Sequence, residues 1–134
     1  WSLKGFNSFT CEATLNGHES GIYQVIPISR NRIASCSEDN TIKIWNGEHP
    51  YNCIQTLQGH KYGVIAILQT KEEDLFSASS NLKIWDMDNY TIKLTLSEIQ
   101  CSYRNSMIEI TESRVVIGER YGIIILNSKL NKQA

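Results

Sequence analysis

His18, Ser35 and Asp39 are the residue types of a base, a nucleophile and the carboxylate that orients the base, and Trp45 follows the serine by ten positions. A second set begins the same way: His60 and Ser77 keep the 17-residue separation of His18 and Ser35. It then departs, because Trp85 follows Ser77 by eight positions and the intervening turn carries no aspartate. A catalytic group has no reason to recur at a fixed interval, whereas a structural group does, so the recurrence favours fastening over catalysis. Other chemistry is sparse. There is no glycine-rich phosphate loop, no His-Glu-x-x-His and no acidic cluster with metal spacing, so no catalytic constellation, metal or cofactor is expected. Cys11, Cys36, Cys53 and Cys101 form no Cys-x-x-Cys pair and do not cluster with histidine, which argues against zinc and against a redox dithiol. Cys11 and Cys53 stand 42 residues apart and are expected to be small repeat residues, reduced and buried. Asn89-Tyr90-Thr91 fits a glycosylation sequon that is frequent by chance, and His49-Pro50 reads as part of an exposed loop.

The elements that must position these residues repeat as well. Thr14-Leu15-Asn16-Gly17-His18 returns 42 residues later as Thr56-Leu57-Gln58-Gly59-His60, and Ile42-Lys43-Ile44-Trp45 returns 40 residues later as Leu82-Lys83-Ile84-Trp85. A period of roughly 40–45 residues that pairs Gly-His with Trp or Trp-Asp is that of a propeller blade. Short β-branched and aromatic runs separated by Gly, Asn, Asp and Ser predict strands at 21–28, 32–37, 41–45 and 52–57, then at 64–69, 74–79, 81–85 and 91–96. Residues 9–15 predict a further strand, aligned with 51–57. A worn third unit keeps the rhythm at 106–110, 114–118 and 122–126, with Leu126 where tryptophan is expected and no Gly-His ahead of it. The fold class is all-β, with blades of four antiparallel strands in an incomplete ring. Its divisions are 1–15 (end of a preceding blade), 16–57, 58–96 with a shortened turn, and a degenerate 97–134. Trp1 stands 44 residues before Trp45, so the chain is expected to be an internal segment of a longer protein.

The 134 residues carry 41% hydrophobic side chains, enough for a packed core, and a net charge of -1 without runs of like charge. That balance excludes nucleic acid and anionic membrane as partners held by bulk charge. No apolar stretch approaches the roughly 20 residues that span a bilayer as a helix.

The two Gly-His copies, the run Ser35-Cys36-Ser37-Glu38-Asp39-Asn40-Thr41-Ile42-Lys43-Ile44-Trp45 and Ile84-Trp85-Asp86 resemble the WD-repeat family of β-propellers, strongly over 9–96 and weakly over 97–127. The resemblance implies that His18, Ser35, Asp39 and Trp45 form a structural hydrogen-bond network, and that His60, Ser77 and Trp85 form a weaker one, with Ser80 or Asn81 standing in for the lost aspartate. It implies a non-catalytic scaffold for protein–protein interaction. Partners are expected to be other proteins or peptides and the remaining blades. By distance from the Gly-His, the contact positions implied are Gly21, Tyr23 and Glu38 in the first blade and Gly63 and Ile65 in the second, with Tyr62 adjacent. The alternatives are the recognition or regulatory arm of a ubiquitin ligase or kinase whose catalytic part lies elsewhere and, less favoured, a propeller enzyme. The expected compartment is the cytoplasm, with the nucleus second. Alone, such a segment is expected to associate through its uncovered ends.

Overall fold

The computed structural model describes residues 8–101, 106–111 and 113–127. Eleven strands are seen among them: β1 Ile22–Ile28, β2 Arg32–Ser37, β3 Ile42–Asn46, β4 Cys53–Leu57, β5 Ala66–Gln69, β6 Leu75–Ala78, β7 Leu82–Asp86, β8 Thr91–Leu96, β9 Met107–Glu109, β10 Arg114–Gly118 and β11 Ile123–Asn127. They form three antiparallel sheets in simple sequence order, β1-β2-β3-β4, β5-β6-β7-β8 and the three-stranded β9-β10-β11. The expected all-β blade architecture is therefore what the chain adopts.

The turns follow from residues that tolerate a left-handed backbone. Asn40 adopts φ 74° between β2 and β3, and Arg30 and Asn31 adopt φ 62° and 54° between β1 and β2. The same bulge recurs one residue before each tryptophan, between Ile44 and Trp45 and between Ile84 and Trp85. A bulge re-aims the side chain that follows, and here it is repeated wherever an indole must turn toward the Gly-His loop.

Alternation along the strands gives each sheet two apolar faces. Ala34, Cys36, Ile42 and Ile44 of the first sheet meet Ile67, Leu75 and Trp85 of the second in one core. Ala66, Phe76, Ala78 and Leu82 on the other face of the second sheet meet Met107, Val115 and Ile117 of the third in another. Polar stitches supplement the first core: Gln24 Oε1 accepts the Ile67 N–H at 2.9 Å, and the buried Arg32 guanidinium donates to Met87 O at 3.2 Å and to the Tyr90 hydroxyl at 2.9 Å.

Two expectations are corrected. Residues 9–15 do not form a strand and contain only an isolated bridge at Thr10. A strand needs a ladder, and this segment joins none of the three sheets among the described residues. The reading of Trp1 as the end of an earlier strand lies outside the described residues. Cys53 is exposed and Cys11 only half-buried, because β4 is an outer strand whose side chains at 53–55 face solvent; Cys36 and Cys101 are the buried pair. All four are free thiols. Burial pushes the Cys36 thiol up to about 12 and the Cys101 thiol up to about 11, which keeps both protonated and unreactive.

Candidate interaction face and its hydrogen-bonded supports

In the first blade, the Trp45 indole N–H donates to Ser35 Oγ at 2.9 Å, Ser35 Oγ lies 2.7 Å from His18 Nε2, and His18 Nδ1 lies 2.9 Å from Asp39 Oδ2. A carboxylate can only accept here, so the proton sits on Nδ1, and Nε2 accepts from the Ser35 hydroxyl. Asp39 also accepts from the Glu19 N–H at 2.9 Å, the Thr41 N–H at 3.0 Å and the Thr41 hydroxyl. Burial by itself would raise the Asp39 pKa. The hydrogen bonds from the Thr41 hydroxyl, the Glu19 N–H, His18 and the Thr41 N–H together outweigh it and hold the carboxyl well below the ordinary carboxylate range. Ser35 is 3% exposed, and its hydroxyl accepts from the indole and donates to the imidazole, so its hydrogen-bonding capacity is committed to this network. These groups tie β3 and the turn after β2 to the loop that precedes β1.

The glycine of each Gly-His makes room for the indole. A Cβ on Gly17 would lie 3.2 Å from Trp45 Cη2, and one on Gly59 would lie 3.4 Å from Trp85 Cη2 and 2.9 Å from Ile92 Cδ1.

The second blade keeps half of the chain. The Trp85 indole donates to Ser77 Oγ at 2.8 Å, and Ser77 Oγ lies 2.6 Å from His60 Nε2. Neither substitute suggested for the missing aspartate bonds to His60: Ser80 is exposed, and both His60 Nδ1 and Asn81 Oδ1 are buried without a hydrogen-bond partner among the described residues. The shortened hairpin closes with the Ser79 N–H on Asn81 O at 2.9 Å and carries nothing to the imidazole. Burial, and then the charge of Lys83, push the His60 pKa down to about 4.

Above these supports the first two blades share one continuous surface. The Val64 N–H donates to Ser37 O at 2.9 Å, and the Asn40 side-chain amide donates to Lys61 O at 3.3 Å, so the turn after β2 grips the loop of the next blade. A Cβ on Gly63 would stand 3.1 Å from Glu38 Cα and 3.6 Å from Tyr23 Cε2, and one on Gly21 would stand 3.9 Å from Glu38 Oε2. Gly21, Tyr23, Glu38 and Gly63 are thus brought together. Tyr23 and the neighbouring Tyr62 are 54% and 64% exposed, and Glu19, Glu38 and Lys61 are exposed beside them. Ile65 is not part of this surface; it is partly buried against the core between the second and third blades.

Sequence reasoning missed two sets of residues. Ser37 Oγ donates to Gly21 O at 2.9 Å, and Ser79 Oγ donates to Gly63 O at 2.8 Å, one bolt repeated after 42 residues, which the period itself could have revealed. Arg120 and Tyr121, in the turn between β10 and β11 that matches the Glu38 turn, carry no motif; Tyr121 is 86% exposed, with the Arg120 guanidinium 5.1 Å over its ring. Among the described residues no group of three or more His, Cys, Asp or Glu side chains is arranged to hold a metal, and no helix is long and apolar enough to cross a membrane.

Residues 9–46 match the family model described as WD domain, G-beta repeat. The structure is similar to the crystal structure of the WD40 beta propeller domain of Doa1, with a TM-score of 0.71 and 20% identity over 81% of this chain and 36% of that one. The chain thus spans about a third of that domain. In all, 197 chains of solved structures match it, so the fold by itself singles out no function. Comparison with curated proteins finds no match. The sheet order and the likeness to that propeller domain together show that the chain has the fold of consecutive β-propeller blades, with residues 9–46 matching the WD-repeat model.

Proposed function

We infer that the chain serves as a non-catalytic protein-interaction scaffold, and that its docking surface is the face formed by Gly21, Tyr23, Glu38, Tyr62 and Gly63. One observation carries the reading: side chains from two blades converge on an exposed patch with two tyrosines, while the polar groups beneath it are committed to holding it rigid. Exposed aromatics anchored on a rigid support lose little conformational freedom on binding and dominate interface energies; the flanking Glu19, Glu38 and Lys61 would set orientation. The partner is a protein or peptide, and further blades are the natural cover for the outer faces of the first and third sheets.

Affinity capture from a cell lysate tests the reading, comparing the parent protein with the Tyr23→Ala, Glu38→Ala double variant. The variant is expected to fold with the same circular dichroism and melting temperature, since both side chains point to solvent, and to lose a protein that the parent retains. An unchanged set of captured proteins would remove this face as the docking surface.

A further inference from the structure

His60 Nδ1 and Asn81 Oδ1 are the two buried side-chain polar atoms that find no partner among the described residues, and they belong to one place in the fold. Ser77 pairs with Lys83 across the second hairpin as Ser35 pairs with Lys43 across the first, so Asn81 occupies the position of Thr41. In the first blade the Thr41 hydroxyl lies 3.4 Å from His18 Nδ1. The same position in the second blade therefore sets Asn81 beside the orphaned edge of His60. The Trp85 indole donates to Ser77 Oγ, the Ser77 hydroxyl hydrogen goes to His60 Nε2, and the imidazole proton is left on Nδ1. A buried donor thus stands near a buried acceptor without a bond between them.

The occupant that satisfies both atoms must accept from one and donate to the other. A carboxylate would accept from His60 but meet the Asn81 carbonyl oxygen with like charge. A cation would face an N–H and the buried Lys83, whose ammonium donates to Thr95 Oγ1 at 3.0 Å. Water meets the requirement, since it accepts and donates at once, and it is the smallest group that can stand in for the aspartate lost with the two residues of the turn. We propose that the second blade holds a structural water bridging His60 Nδ1 and Asn81 Oδ1, in the role that the Asp39 carboxylate plays in the first. The imidazole donates to the water oxygen, and the water donates one hydrogen to the Asn81 carbonyl. The loop that carries Lys61, Tyr62 and Gly63 is then secured through a solvent molecule where its counterpart in the first blade is secured through a fixed charge. The inference does not depend on what binds the face above it.

A crystal structure of the protein that resolves ordered solvent tests the bridge. The expected result is one solvent peak within hydrogen-bonding distance of both atoms; a direct His60–Asn81 bond, or two atoms with no neighbour, overturns the proposal. The Asn81→Leu variant supplies a second measurement. It removes the acceptor and fills the space, so the peak is expected to vanish and the melting temperature to fall by several degrees as the imidazole N–H is left unpaired. An unchanged or higher melting temperature overturns the proposal as well.

Discussion

Ser35 accepts from one buried group and donates to another, so its loss strands two partners at once. Ser35→Ala is expected to destabilise the chain by about 2–4 kcal/mol, because the buried Trp45 N–H and His18 Nε2 both lose their partner; urea denaturation measures it. Acid should act on the two blades in different windows. The folded pKa of His60, about 4, lies below the roughly 6.5 of an unfolded histidine, so the unfolded chain takes up the proton first. Its contribution is fully present above pH ~6.5 and is lost as the pH falls toward about 4, of order 3 kcal/mol in total. Asp39 is also depressed, so its contribution is present above the unfolded carboxylate value of roughly 3.9 and is lost only in stronger acid. Denaturation curves at stepwise pH should show the first loss between about pH 6.5 and 4, and His60→Gln should flatten that limb. His18 and Ser35 return after 42 residues as His60 and Ser77, and the family resemblance carried by that repeat implied the membership of both networks. Whether the second reached an acceptor was not legible in the sequence, because that depends on ångström-scale placement of Asn81 within a shortened turn.

At the scale of the elements, each Gly-His glycine is a spacing device between a loop and an indole. Gly59 adopts φ 151° and a Cβ there would collide with Ile92 Cδ1 at 2.9 Å, so Gly59→Ala is expected to cost about 1–2 kcal/mol. Gly21→Ala meets nothing closer than Glu38 Oε2 at 3.9 Å and should leave the melting temperature nearly unchanged; thermal denaturation of the two variants side by side checks the contrast. The strands themselves were legible because period-two alternation and turn residues are local properties, and each predicted strand from 21 to 126 has a counterpart within a residue or two. The segment 9–15 was not, because its alternation is sound but a strand forms only beside another strand.

Across the whole molecule, the two internal junctions show that a blade packs through two faces, and among the described residues the first and third blades each leave one uncovered. On the first, Leu15, Ile22, Val25, Ile33, Ser35 and Trp45 line a groove of about 210 Å³. On the third, Ile123 and Ile125 are 72% and 62% exposed. Apolar faces of this kind drive association, so the isolated chain is expected to sediment with an apparent mass that rises with concentration. Ile125→Lys should suppress that rise while leaving the melting temperature within about 1 °C, because the side chain already faces solvent. Sequence alone determined the period, the strand order and the polarity of the blades, since these are written in local alternation and in residues that recur every 40 or 42 positions. Only the tertiary structure decided that Ile65 turns into a core, that Cys53 faces water, and that Tyr23 lies against Gly63 from the next blade. The physical reason is that burial and contact between blades depend on the packing angle and register of separate sheets, and no local pattern in the chain encodes either.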